Sequence, residues 1–341
     1  MKLERLTALR FLVALSIVLG HLVLMFKPLF GYVFYSFIGT LDTAVSFFFL
    51  LSGFILTYSW QQKNNPSWVD FFRNRFSRIF PIYFLALALT FAVRYVQDGQ
   101  FFSIFSKTIF YVATLLQSWN PAQTLVLNPP AWTLSVEVFL YLLFPFAYFI
   151  LRKRSLPLLA AINIVLWLST LLWFQIINPY DRVFSRYFPP SHLSTFILGM
   201  SAGFLFVRYR ASLELRSTVI GIVTIILLAT FTLALALRVP FVIDHHPAIL
   251  NPFYAGVVLF FALRSDKKSI FAYRPLQLLG ESAYEIYIFQ APLAAAWFLI
   301  FNPHSGSIFV SCAGYVLTLI SISVLIYLYV DLPVQRKFRR T

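Results

Sequence analysis

The stretch LTALRFLVALSIVLGHLVLMF, residues 6–26, decides the class of this chain. At about 1.5 Å of rise per residue it is long enough, as a helix, to cross a hydrocarbon core of about 30 Å. Two ionisable residues interrupt it, Arg10 near its start and His21 deep inside. Eleven residues at about 100° each return to within about 20° of the starting direction, with an axial rise of roughly 16 Å. Ionisable groups inside a spanning helix are costly, face the protein interior and by default mark a functional path. The pair implies a site reached from one membrane face and working near the middle.

The rest of the chain repeats this pattern. Of 341 residues 60% are hydrophobic and only 11% charged, against about 25% charged in a soluble domain; mean hydropathy is +0.79. Ten apolar stretches follow one another at residues 9–27, 41–60, 79–97, 133–151, 156–177, 190–207, 217–237, 246–263, 276–299 and 307–330. No polar stretch between them is long enough to bury a core of its own. The expectation is an all-α polytopic membrane protein with about ten transmembrane helices, forming a single membrane-embedded domain over residues 1–341.

A net charge of +15 raises the question of nucleic acid, but the placement of the charges answers it. With the N-terminus inside, the cytoplasmic segments hold 21 of the 27 Lys and Arg residues, among them Arg5, Lys63, Arg73, Arg152, Arg208, Arg274 and Arg336. The other side receives Lys27, Arg94, Lys107, Arg182, Arg186 and Arg238. That skew follows the positive-inside rule and puts both termini in the cytoplasm. The basic balance is an insertion signal, and nucleic acid is excluded as a partner.

Residues 108–119, TIFYVATLLQSW, are apolar but short for a span. Residues 98–131 are read as an outer loop with an interfacial or re-entrant piece, closed by Asn128-Pro129-Pro130 and forming a wall of a substrate cleft. Irregular backbone at membrane depth is tolerated only inside protein or beside a water-filled cavity. The N-terminal segment reads as a retained first helix. A single cysteine, Cys312, permits no intramolecular disulfide, and no metal-ligand spacing is present.

Three further residues carry candidate chemistry. In WVDFFRNRFSRIFPIYF (residues 68–84), Arg75 and Arg78 share a face if the helix has begun there, with Pro81 in its first turn. Paired guanidiniums suit phosphate oxygens; the plain alternative is that they obey the positive-inside rule. In AWTLSVEVFLYLLFP (residues 131–145), Glu137 lies about one turn in from Trp132. Measured from opposite faces, His21 and Glu137 both fall in the outer half of the bilayer. A carboxylate on one imidazole nitrogen would orient the ring and leave the other nitrogen to take a proton. The alternative is a structural hydrogen bond between packed helices. His192, His245, His246 and His304 are expected at the surface, Glu281 and Glu285 paired with inner arginines, and Asp42 as a cap.

Taken in order, these motifs resemble acyltransferase family 3 of integral membrane proteins. The resemblance runs through Arg10 and His21, FFLLSGF (48–54), RNRFSRIFP (73–81), AWTLSVEVFLYLLFP (131–145), LGESAYEIYIFQ (279–290) and DLPVQRKFRR (331–340). It implies transfer of an acyl group, commonly acetyl, from cytoplasmic acyl-CoA to a hydroxyl of a carbohydrate or glycolipid acceptor of the cell envelope. His21 matches the family's essential histidine and Arg10 its partner; Arg75 and Arg78 match its paired arginines and Glu137 its acidic residue.

The expected assignment is therefore His21 and Glu137 as catalytic, Arg10, Arg75 and Arg78 as acyl-CoA-binding, and no metal. Two departures stand out. The family's ninth-span motif carries a serine before its first tyrosine and ends in a histidine, where this chain has Ala283 and Gln290. No catalytic role is assigned to that segment. The expected location is the bacterial inner (plasma) membrane, in contact with its lipid. A transporter or flippase for lipid-linked sugars is the rival class; neither the internal repeats nor the paired Gly/Pro interruptions of such folds are seen.

Overall fold

The computed structural model describes residues 3–25, 44–64, 66–98, 108–236, 248–264, 269–301 and 307–338. Among them every regular element is helical. Ten apolar helices fall on the ten expected stretches: α1 (Glu4–Met25), α2 (Val45–Gln61), α3 (Trp68–Asp98), α4 (Trp132–Leu151), α5 (Leu156–Ile177), α6 (Leu193–Leu215), α7 (Ser217–Ala236), α8 (Asn251–Leu263), α9 (Ala283–Ile300) and α10 (Ile308–Ile326). Seven are long and apolar enough to cross a membrane; α2 and α8 are shorter apolar helices, as is the Ser217–Phe231 part of α7. Asp42, His245, His246 and His304 lie outside the described residues.

Glycines set the closest helix packing. A Cβ on Gly53 of α2 would collide with the carbonyl of Phe196, and one on Gly199 of α6 with the carbonyl of Leu50. Gly199 and Gly203 stand four apart on one face of α6, so α2 can lie against that face with backbones nearly touching. The contact places FFLLSGF in the middle of the bundle, with Phe47, Phe49, Leu50 and Phe54 fully buried. At the periphery, α5 buries only Leu159, Thr170 and Phe174.

Helix α3 differs from its expected form. It begins at Trp68 and runs 31 residues, so Arg73, Arg75 and Arg78 are carried on its first turns and Pro81 lies in its interior, not at its start. The aromatic residues of its N-terminal part explain the early start. Trp68 stacks on Trp60 of α2 at 3.8 Å between ring centroids, and Phe71 stacks on Phe144 of α4 at 5.2 Å. Tertiary packing therefore holds the turns ahead of the proline.

The stretch 108–119 does not form a spanning helix. Helix at 108–113 ends where Leu115 takes a left-handed conformation, φ 56°. The Leu116 N–H reaches the Tyr111 carbonyl at 2.8 Å and the Leu115 N–H reaches Val112 at 3.2 Å. This is the Schellman closure of a helix C-terminus. Residues 116–131 then fold back as a part-buried plug, with Gln117, Ser118, Thr124 and Asn128 buried and Leu116, Trp119 and Leu125 exposed. Gln117 donates to the Ala131 carbonyl at 2.9 Å, Ser118 to Trp132 at 2.9 Å and Thr124 to Gln117 at 3.2 Å. These side chains satisfy part of the irregular backbone, as irregular backbone against apolar helices requires.

Candidate active site

Four helices bring their ionisable residues to one cavity of about 130 Å³. Arg10 comes from α1, Arg75 and Arg78 from α3, Glu137 and Tyr141 from α4, and Tyr284 and Tyr287 from α9; Ser52 of α2 completes the polar wall. A second cavity of about 240 Å³ adjoins it through Arg75 and Arg78 and is lined further by Lys63, Asn74 and Gln335. Helical spacing explains the cluster. Arg75 and Arg78 are three apart on α3, Glu137 and Tyr141 four apart on α4, and each pair presents one face.

Within this cluster Tyr141 is the hub. It lines the cavity with Glu137, Arg75 and Ser52, interacts with all three, and its ring lies 5.8 Å from the Arg75 guanidinium. Glu137 faces all three arginines. Arg78 shares the cavity with Glu137 and also feels the carboxylates of Asp331 and Glu285. Asp331 in turn accepts from Gln335 at 2.5 Å. Three guanidiniums against one lining carboxylate leave the cavity cationic, and the buried Nε of Arg75 has no partner in the protein. Such a donor set fits phosphate oxygens.

His21 stands apart from this cluster. Its Nδ1 is hydrogen-bonded to Oε1 of Gln290 on α9 at 2.9 Å. Gln290 is buried, and its Nε2 donates to the Tyr287 carbonyl at 2.9 Å. The Tyr315 hydroxyl donates to the Gln290 carbonyl at 2.7 Å. Two residues from Gln290, the Ile288 carbonyl accepts from Asn128 of the plug at 3.0 Å. Tyr287 links the two regions, lining the arginine cavity while its carbonyl fixes Gln290.

The expected pairing of His21 with Glu137 is thereby corrected. The ring is held by Gln290, and Glu137 lies with Tyr141 among the arginines. The reason lies in the helix packing, which brings Glu137 to the cavity lined by Arg10, Arg75 and Arg78, a cavity that His21 does not line.

Other expectations divide. Glu281 pairs with Arg274 at 3.3 Å, whereas Glu285 is wholly buried beside Asp331. His192 is buried, not at the surface. Its Nε2 donates to the Arg186 carbonyl at 2.9 Å and its ring packs between Phe49 and Trp132. Tyr141 and Gln290 went unassigned in the sequence. Tyr141, one turn from Glu137 on the same face, carried a usable signal; Gln290 carried one only as a departure from the motif.

No solved structure gives a significant match to this chain. The acyltransferase MdmB of Streptomyces mycarofaciens is 34% identical to it over 121 residues, covering 32% of this chain and 29% of that protein. The acyltransferase-domain family profile matches residues 3–328, nearly the whole length. Its apolar helices are long enough to cross a bilayer, and the chain belongs to acyltransferase family 3.

Proposed function

We propose that this enzyme moves an acyl group, acetyl in the simplest case, from cytoplasmic acyl-CoA to a hydroxyl of a carbohydrate or glycolipid acceptor of the cell envelope. The observation that carries the reading is the cationic cavity of Arg10, Arg75 and Arg78, joined through Tyr287 to the His21–Gln290 pair. In this reading both termini are cytoplasmic and the membrane is the bacterial plasma membrane, as the skew of basic residues supports.

Arg75 and Arg78 hold the phosphates of the donor at the mouth shared by the two cavities, and Arg10 adds charge above them. Tyr141 and Glu137 keep the guanidinium forks in place. The donor's pantetheine arm is a flexible chain that suits a path along α9, past Tyr284 and Tyr287, toward His21. There the imidazole takes the acceptor's hydroxyl proton as the oxygen attacks the thioester carbon. The C–S bond breaks, and the sulfur leaves with the proton that His21 returns.

The test is acyl transfer in membranes containing the full chain, with labelled acetyl-CoA and a crude envelope acceptor. General-base catalysis contributes about 10²–10⁴-fold, so His21→Ala should lose at least about 10²-fold in turnover. Its binding of acyl-CoA should persist, because Arg10 stands roughly 16 Å away along α1 and Arg75 and Arg78 share the cavity with Arg10, which His21 does not line. Near-normal transfer by His21→Ala would remove the histidine from the mechanism.

A further inference from the structure

We infer that Gln290 is a positioning residue that selects the tautomer of His21. This rests on the reading of His21 as general base and adds a residue to which that reading gave no part. An amide can face a neighbour with its oxygen or its nitrogen, and its own second contact decides which. Here the Tyr287 carbonyl, which only accepts, takes the Gln290 Nε2–H at 2.9 Å. The Gln290 oxygen is thus the atom turned to His21, and it accepts from Nδ1–H at 2.9 Å. In a neutral imidazole with its proton on Nδ1, the lone pair belongs to Nε2. Nε2 is the atom left to receive the acceptor's proton.

The clamp is itself fixed. Gln290 is 3% exposed, and the Tyr315 hydroxyl bonds its backbone carbonyl at 2.7 Å. Pro292 gives no N–H to the Ile288 carbonyl, and Asn128 supplies the missing donor at 3.0 Å. Helix α9 is therefore anchored immediately before and at Gln290 by side chains from the plug and from α10. A neutral amide orients the ring without adding a buried charge beside it.

The experiment compares Gln290→Met, which keeps volume and loses the acceptor, with Gln290→Glu. A neutral glutamic acid can donate to Tyr287 and accept from His21 as the amide does. Membrane level, kcat and KM for acetyl-CoA are measured for both, alongside His21→Ala and the His21→Ala/Gln290→Met double variant. Gln290→Met should lower kcat at least about tenfold at unchanged membrane level and unchanged KM, with Gln290→Glu recovering most of the loss. The double variant should be no slower than His21→Ala alone, since the two act as one unit. Wild-type kcat in Gln290→Met, or equal loss in Met and Glu, would overturn the inference while His21→Ala remained inactive. Full activity of His21→Ala would instead sink the general-base reading beneath it.

Discussion

Asn128 donates to the carbonyl of Ile288, the group that Pro292 leaves without its helical partner. A residue in a non-helical plug thus completes a helix from 160 positions away. Pro292 is tolerated in α9 because of that bond, and the turn it protects is the one that carries Gln290.

Removing this donor exposes the dependency. Asn128→Ala should leave the Ile288 carbonyl buried and unsatisfied, a loss of about 1–3 kcal/mol. The thermal midpoint of the detergent-solubilised protein should fall, and turnover with it. Pro292→Ala returns a backbone N–H, so the Asn128→Ala penalty should shrink in the Pro292→Ala background. Equal penalties in both backgrounds would show that the two residues are not coupled.

The glycines of α2 and α6 make a second, separable demand. Gly199→Ala places a methyl against the Leu50 carbonyl, and overpacking of this kind costs about 1–3 kcal/mol. Less folded protein should be recovered in detergent, and the activity per folded molecule should change little. A Gly199→Ala protein as stable as the parent would mean that α2 and α6 can part without loss.

Much of the fold was legible because helical arithmetic is local. The apolar runs gave each helix, and the 11-residue interval put Arg10 and His21 on one face of α1 whatever surrounds them. Pro81 was misplaced because the turns before it are held by Trp60, Phe144 and other distant aromatics, which no local pattern reveals. Glu137 was given the wrong partner for a related reason, since contacts between helices distant in sequence bring it beside Arg10, Arg75 and Arg78. His192 read as a surface residue because loop position was taken for exposure. Gln290 was visible only as an absence of the family's histidine; its role depends on which atom of the amide faces His21, and Tyr287 decides that.

The donor site yields a prediction about chemistry at Arg75. Its Nε is buried without a protein partner, so Arg75→Ala should raise KM for acetyl-CoA with little change in membrane level. Arg75→Lys should recover only part, because a point charge does not replace a planar fork. Full recovery by lysine would favour a plain topogenic role for this basic cluster.

Sidedness can be read directly. With Cys312 replaced by serine, single cysteines at positions 75, 152 and 336 should resist impermeant thiol reagents applied from outside the cell. Labelling at 152 alone would reverse every helix after the plug and contradict the closure of the helix at Leu115.

Glu137 separates the two arrangements of the site most sharply. Were it the partner of His21, Glu137→Gln would slow the chemical step and leave donor affinity alone. Its place beside Tyr141 and its three arginine neighbours give the opposite expectation. Glu137→Gln keeps an oxygen that can accept but removes the carboxylate charge, and the guanidiniums then repel one another with no counter-charge on the cavity wall. The forks then splay, and the phosphates meet a less ordered set of donors. Glu137→Gln should therefore raise KM for acetyl-CoA by more than it lowers kcat, with Glu137→Asp intermediate because the shorter carboxylate keeps its charge. Steady-state kinetics in membranes at saturating acceptor measure both quantities at once. A fall in kcat at constant KM would return Glu137 to the side of His21.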